Sequence, residues 1–241
     1  LTAASTSVAT VEAKANADGA NTGVGVSIGI NVVDNFTSAQ IAGLLTGGAD
    51  VTMSATGSHT TTTTVSSGGQ AKDGTGVGGS FAIAVVDNTT EAIITTGSAM
   101  SITGSLSATA THHGSTTTTA QGDALGAYTA VGSAITLSFV DDTATSSTSR
   151  DITAGGSISF AANADGASKA DSKASAKGAD TDDETSSGNS TADDQTNKQT
   201  ALANDKSGDT NSTSQTADDG SGGSVSVAAA LAINVASATA Q

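Results

Sequence analysis

The chain repeats itself, and the length of the repeat limits what it can fold into. The segment Val24-Gly-Val-Ser-Ile-Gly-Ile-Asn-Val-Val-Asp34-Asn35 returns as Val77-Gly-Gly-Ser-Phe-Ala-Ile-Ala-Val-Val-Asp87-Asn88, and again as Val131-Gly-Ser-Ala-Ile-Thr-Leu-Ser-Phe-Val-Asp141-Asp142. The offsets are 53 and 54 residues, and a fourth copy, Val227-Ala-Ala-Ala-Leu-Ala-Ile-Asn-Val235, follows 96 residues after the third. The excess of 42 residues (96 minus 54) marks an insertion. Within each copy the bulky residues take alternate positions: Val24, Val26, Ile28, Ile30 and Val32, then Val77, Phe81, Ile83 and Val85, then Val131, Ile135, Leu137 and Phe139. Period two is the pattern of a strand. The positions between them hold Gly, Ser, Ala or Asn, so the second face is small rather than charged. The Asp and Asn residues that close each copy read as turn formers.

A second unit lies between these strands. The run from Val51 to Val65 corresponds to that from Leu106 to Thr119, and more loosely to Ile158-Ser-Phe-Ala-Ala162. It alternates too and is rich in Thr, a good strand residue. Gly47-Gly48, Gly68-Gly69 and Gly155-Gly156 are its expected turns. Burying the four or five branched residues of one copy contributes on the order of 10 kcal/mol. Ordering a dozen backbone residues costs roughly 12 to 24 kcal/mol, so a lone repeat does not fold and must stack on its neighbours. The expected fold is therefore all-β, a right-handed parallel β-solenoid (β-helix) of 54-residue repeats, each making about two rungs of about 27 residues. A stacked two-sheet β-sandwich is the alternative.

Composition agrees with an elongated fold. The 241 residues include no Pro, Cys or Trp, one Tyr and four Phe, too few large side chains for a conventional core. Repeats are expected over residues 1–162 and the final solenoid strand over 224–241. Residues 163–223 lose the alternation; they carry 12 acids and 5 lysines, with Leu202 the one large apolar residue. Such a stretch buries too little to offset its ordering entropy and reads as an acidic, mobile loop. The chain opens on Leu1 inside an Ala/Ser/Thr run and reads as part of a longer polypeptide. No stretch reaches the roughly 20 bulky apolar residues of a membrane-spanning helix. The net charge of −15 repels phosphate backbones, so neither a membrane span nor a nucleic-acid partner is expected.

Few residues suggest chemistry. Asp34, Asp87, Asp141 and Asp142 recur at one point of the repeat and are candidate oxygen ligands for calcium or another divalent cation, although neither an EF-hand loop nor a glycine-aspartate nonapeptide accompanies them. His59 and His113 fall at equivalent repeat positions with His112 beside them; exposed strand edges are their expected place, and they lack a third ligand of fixed spacing. Gly74-Thr-Gly76-Val-Gly-Gly79 fits G-x-G-x-x-G but precedes a strand, without the βαβ context of a nucleotide site. No hydroxyl is singled out by a triad or elbow pattern, and no catalytic residue is assigned. The runs Thr60 to Thr64 and Thr116 to Thr119 suggest either a hydroxyl array facing ice or a glycan, or sites of O-glycosylation. Asn35, Asn88, Asn189 and Asn211 start N-linked acceptor triplets.

The recurring Val-Gly-Val-Ser-Ile-Gly-Ile-Asn-Val-Val-Asp-Asn strand, its Thr/Ala-rich partner and the Gly-Gly turns resemble the β-strand repeats of giant secreted bacterial adhesins and filamentous-haemagglutinin-like or leukotoxin-like exoproteins. The resemblance covers about three quarters of the chain and brings no active-site residue with it. It implies a β-helical stalk at the bacterial cell surface, with a non-enzymatic part in adhesion, biofilm matrix or filament formation. The expected partners are neighbouring copies of the repeat or the rest of a longer chain. A β-helical polysaccharide lyase or hydrolase is the rival from another class; it would display clustered acids and aromatic sugar platforms, against one Tyr, no Trp and a single Arg, Arg150, here.

Overall fold

A computed structural model describes residues 1–177, 213–215 and 225–241 of the chain, and among these there are strands and no helix. The repeated hydrophobic segment lies within four long strands: β2 (Thr22–Ile41), β5 (Thr75–Ile94), β8 (Thr129–Thr148) and β12 (Val225–Ala240). They form one parallel sheet in the order β12-β8-β5-β2. Val24, Val77, Val131 and Val227 are neighbours in it, as the repeat alignment requires. The Thr-rich unit gives a second parallel sheet of β1 (Thr2–Gly19), β4 (Val51–Ala71), β7 (Leu106–Gly126), β10 (Ile158–Lys177) and the short β11 (Thr213–Gln215). A narrow third sheet joins β3 (Thr46–Gly48), β6 (Met100–Ile102) and β9 (Ile152–Ala154). The chain thus runs along the Thr-rich sheet, turns a tight corner, returns along the hydrophobic sheet, crosses the narrow sheet and starts again one layer down. This is a parallel β-solenoid.

Three sequence expectations need correction. Each repeat makes one large coil, not two small ones, because β2, β5 and β8 run straight through Asp34-Asn35, Asp87-Asn88 and Asp141-Asp142 instead of turning there. Gly68-Gly69 likewise lies inside β4, whereas Gly47 does take the left-handed backbone conformation, with φ of 73°. The boundary set at residue 163 falls inside β10, whose residues 163–177 pair with β7. The mobile loop expected beyond it lies mostly outside the described residues.

The third correction concerns which face is inside. The alternating Val, Ile, Leu and Phe residues point outward: Ile28 is 60% exposed, Val32 71% and Phe139 42%. The interior is lined by the small residues between them. Backbone geometry is the reason. The corners joining the two long sheets, at residues 20–21, 72–74 and 127–128, are so short that the sheets meet backbone to backbone beside them. A Cβ placed on Gly25 would lie 2.2 Å from the carbonyl oxygen of Gly68, and one on Gly78 only 1.9 Å from that of Asp123. A Val cannot enter there.

Away from the corner the sheets diverge, and the inward residues grow with the gap. Ser27 and Ser80 come first; their hydroxyls donate to the carbonyls of Ser66 (2.7 Å) and Gln121 (2.5 Å) on the opposite sheet. Thr136 does the same to Asp171 at 2.6 Å. At the wide base, closed by the narrow sheet, Met53, Ile94, Met100, Ile102 and Leu106 form the apolar core. Arg150, between β8 and β9, fastens that base: its guanidinium donates to the carbonyls of Thr95 (2.7 Å), Gly43 (2.8 Å) and Ile41 (3.1 Å). These carbonyls belong to the two preceding coils.

The taper predicts an inverted mutational pattern. Gly78→Ala should cost about 2 kcal/mol or more by overpacking two backbones, while Val85→Ala, on the outer face, should cost less than about 1 kcal/mol. Urea unfolding measures both. The opposite ranking would mean that the bulky residues form the core.

Candidate functional site

The densest group of titratable and amide side chains sits inside the solenoid, midway between corner and base. It is built by two inward columns. On the hydrophobic sheet Asn35, Asn88 and Asp142 stack in successive coils. On the Thr-rich sheet Ser7 and His59 share one column, and Ser5, Gly57 and His112 share the next. Asn88, His112 and Asp142 are each 1% exposed or less, and His59 is 2% exposed.

The hydrogen bonds run in one direction. Ser7 donates its single hydroxyl proton to Asn35 Oδ1 at 3.1 Å, so its oxygen must accept from His59 Nδ1, 2.8 Å away. Asn35 Nδ2 donates to Asn88 Oδ1, and Asn88 Nδ2 donates to Asp142 Oδ1, each at 2.7 Å. His112 Nε2 lies 3.1 Å from the same Asp142 oxygen, and His112 Nδ1 lies 3.2 Å from the hydroxyl of Thr90. The chain of donors therefore begins at His59 and ends on the one buried carboxylate of the set. Such end-to-end polarisation strengthens each bond. His59 Nε2 is left as a buried acceptor without a partner.

Glycines make the room. A Cβ on Gly57 would fall 2.4 Å from the Thr90 hydroxyl and about 3 Å from both imidazoles, whose ring centres are 5.4 Å apart. Gly114 and Gly166 do the same for Asp142, where a Cβ would lie 2.5 Å and 2.2 Å from its Oδ2. A cavity of about 130 Å³ opens on the far side of Asp142, between Gly166, Ser168 and Ala238. Burial, and then the neighbouring His112, hold His59 below the ordinary histidine value, while Asp142 opposes the shift.

The candidates named from sequence are separated rather than gathered. Asp34, Asp87 and Asp141 form an exposed column on adjacent strands of the outer face. Asp142 points to the other side, into the interior. The four carboxylates cannot share one ion, and no group of three His, Cys, Asp or Glu suited to a metal is found among the described residues. The histidines also depart from expectation. His59 is paired with Gly114 and His112 with Gly57, both buried, and only His113 is exposed, 3.7 Å from Asp165. Asn88 is buried within the polar chain, out of reach of a glycosylating enzyme; Asn189 and Asn211 lie outside the described residues. Gly76, Gly78 and Gly79 are strand residues of β5.

Sequence reasoning missed the polar chain because its signal was mistaken for a turn. The Asn and Asp residues recur at a fixed inward position, opposite histidines carried by another strand. Comparison with known proteins adds no constraint: no family model, no curated protein and no solved structure matches the chain.

Two consequences can be measured. Asp142→Ala leaves the buried donors of Asn88 and His112 without an acceptor and should cost roughly 2 to 6 kcal/mol. Because the folded state lowers the His59 pKa, the unfolded chain takes up that proton first; the contribution is intact above about pH 6.5 and is lost as the pH falls below it. The urea midpoint should fall between pH 7 and pH 5, and His59→Asn should flatten that slope. An unchanged slope in the variant would remove His59 from the account.

Proposed function

We propose that the chain is a non-enzymatic, extracellular shaft or spacer of a bacterial surface protein or fibre, continued at both ends by further coils. The observation that carries this reading is the match between its two terminal coils. β2 has a partner on one side only, β5, and β12 likewise has only β8 among the described residues. Val24, Ile30, Asn31 and Val32 at one end stand in the same columns as Val227, Ile233, Asn234 and Val235 at the other. A further coil placed on either end, from the same polypeptide or a second copy, would continue these columns and satisfy the open ladder. The best-equipped acid–base groups, His59, His112 and Asp142, support the same reading, since they are buried where no substrate reaches them.

One observation favours a second reading, binding to a regular hydroxylated surface such as ice or a glycan. The Thr runs fall side by side on two successive coils, because a coil is a whole repeat. Thr10, Thr62 and Thr117 line up across three strands of the outer Thr-rich face, as do Thr56 with Thr111 and Thr64 with Thr119.

Negative-stain electron microscopy of the purified chain separates these. A shaft gives rods whose length grows in steps of one chain as ends join. Compact single particles together with altered ice-crystal shape, or retention on an insoluble glycan, would favour the second reading.

A further inference from the structure

The hydrophobic sheet presents its bulky residues to solvent as a continuous field. Five outward columns, those of Val24, Val26, Ile28, Ile30 and Val32, cross four strands, and no charged residue stands in them. In the first strand their exposures run from 51% to 71%. With strands about 4.8 Å apart and about 3.3 Å per residue, the field measures roughly 19 by 30 Å, or about 600 Å². That is at the upper limit of the largest apolar patch on an ordinary monomer.

We propose that this face pairs with the same face of a second copy, face to face, forming an isologous dimer whose twofold axis lies in the plane of the contact and parallel to the columns. Three features select that occupant. Two such faces together bury about 1,200 Å², more than the roughly 1,000 Å² expected of a biological interface. The chain carries a net charge of −15, so two copies repel except across an uncharged surface. The relief is also self-complementary. In the second column Val26 is followed by Gly79, Ser133 and Ala229, a trench of small residues. Beside it stands the ridge of Ile28, Phe81, Ile135 and Leu231. A twofold axis between the two columns seats each ridge in the other copy's trench. It also sends the Asp34, Asp87 and Asp141 columns to opposite ends of the contact, where they do not oppose each other.

This pairing is perpendicular to the solenoid axis and is independent of end-to-end stacking, so the two can fail separately. The test is sedimentation of the full chain over a range of concentrations, with and without 1 M NaCl and on cooling. A dimer of 45.8 kDa (twice 22.9 kDa) is expected. It should persist in salt and weaken in the cold, as apolar contacts do. Ile83→Asp with Leu137→Asp, both on outward positions, should raise the dissociation constant at least a hundredfold while the circular dichroism of the strands is kept. Thr62→Asp with Thr117→Asp, on the opposite face, should leave it unchanged. A wild-type chain that stays monomeric at about 100 μM, where a contact of this size is populated, overturns the proposal without recourse to any variant. So does an oligomer sensitive only to the Thr62 and Thr117 changes. An open series of masses instead of a closed dimer would report end stacking alone.

Discussion

Backbone contact at the corner governs the rest of the molecule. Where the chain passes from one long sheet to the other in two or three residues, the sheets are held so close that Gly23, Gly25, Gly76 and Gly78 face carbonyl oxygens of the opposite strands with no space for a methyl group. Everything inward must then fit a wedge that starts at zero thickness and opens toward the narrow third sheet. Small residues fill the thin part, hydroxyls bridge to backbone carbonyls in the middle, and Met and Leu appear only at the base. Most of the large branched residues are left for the outer surface, with Val65, Val86 and Val140 as inward exceptions. An interior of this kind gains little from burying apolar area per residue. Its cohesion comes from close packing, from three parallel ladders and from side-chain hydrogen bonds.

The polar chain from His59 to Asp142 lies where the wedge is wide enough for amides and imidazoles, beside the inward Val86 and Val140. Each Asn occupies its column as both donor and acceptor, so each coil hands a hydrogen bond to the next. A column of that type needs an end. Asp142, which only accepts when ionised, supplies it, with His112 as a second donor and Ala238 below it in the fourth coil. The order of residues along the column is therefore tied to the order of the coils. Removing a member should do more harm than the loss of one bond, because a buried partner is left unsatisfied. The same arrangement keeps His59, His112 and Asp142 inside the solenoid, where they specify register.

Much of this was legible in the sequence. The pairing of Val24 with Val77 and Val131, and of Val51 with Leu106 and Ile158, follows from the repeat alone, as does the parallel solenoid. What the sequence hid was direction. Period two says that Ile30 and Asn31 face opposite ways, and burial normally assigns the larger one to the core. Here the decision was made by the short corners some distance along the chain, which no local pattern reports. Asp34-Asn35 misled for a related reason. Both residues favour turns in isolation, yet stacked copies of the second one satisfy each other, and a strand carrying an amide ladder does not need to turn. The pairing of His59 with His112 was hidden by a one-residue difference between the repeats, which moves His113 to the outer face and leaves His112 inside.

The assignment of one coil to each 54-residue repeat underlies all of these arguments, and a disulfide tests it directly. The chain contains no cysteine, so Asp87→Cys with Asp141→Cys introduces a single pair at exposed positions. One coil per repeat puts their Cα atoms about 4.8 Å apart, within the range a disulfide spans. Two coils per repeat would separate them by about 9.6 Å, beyond it. The structure predicts rapid intramolecular cross-linking under mild oxidation with the strand signal retained, and none between Asp34→Cys and Asp141→Cys. Failure of the first pair to close, in a folded chain, would contradict it.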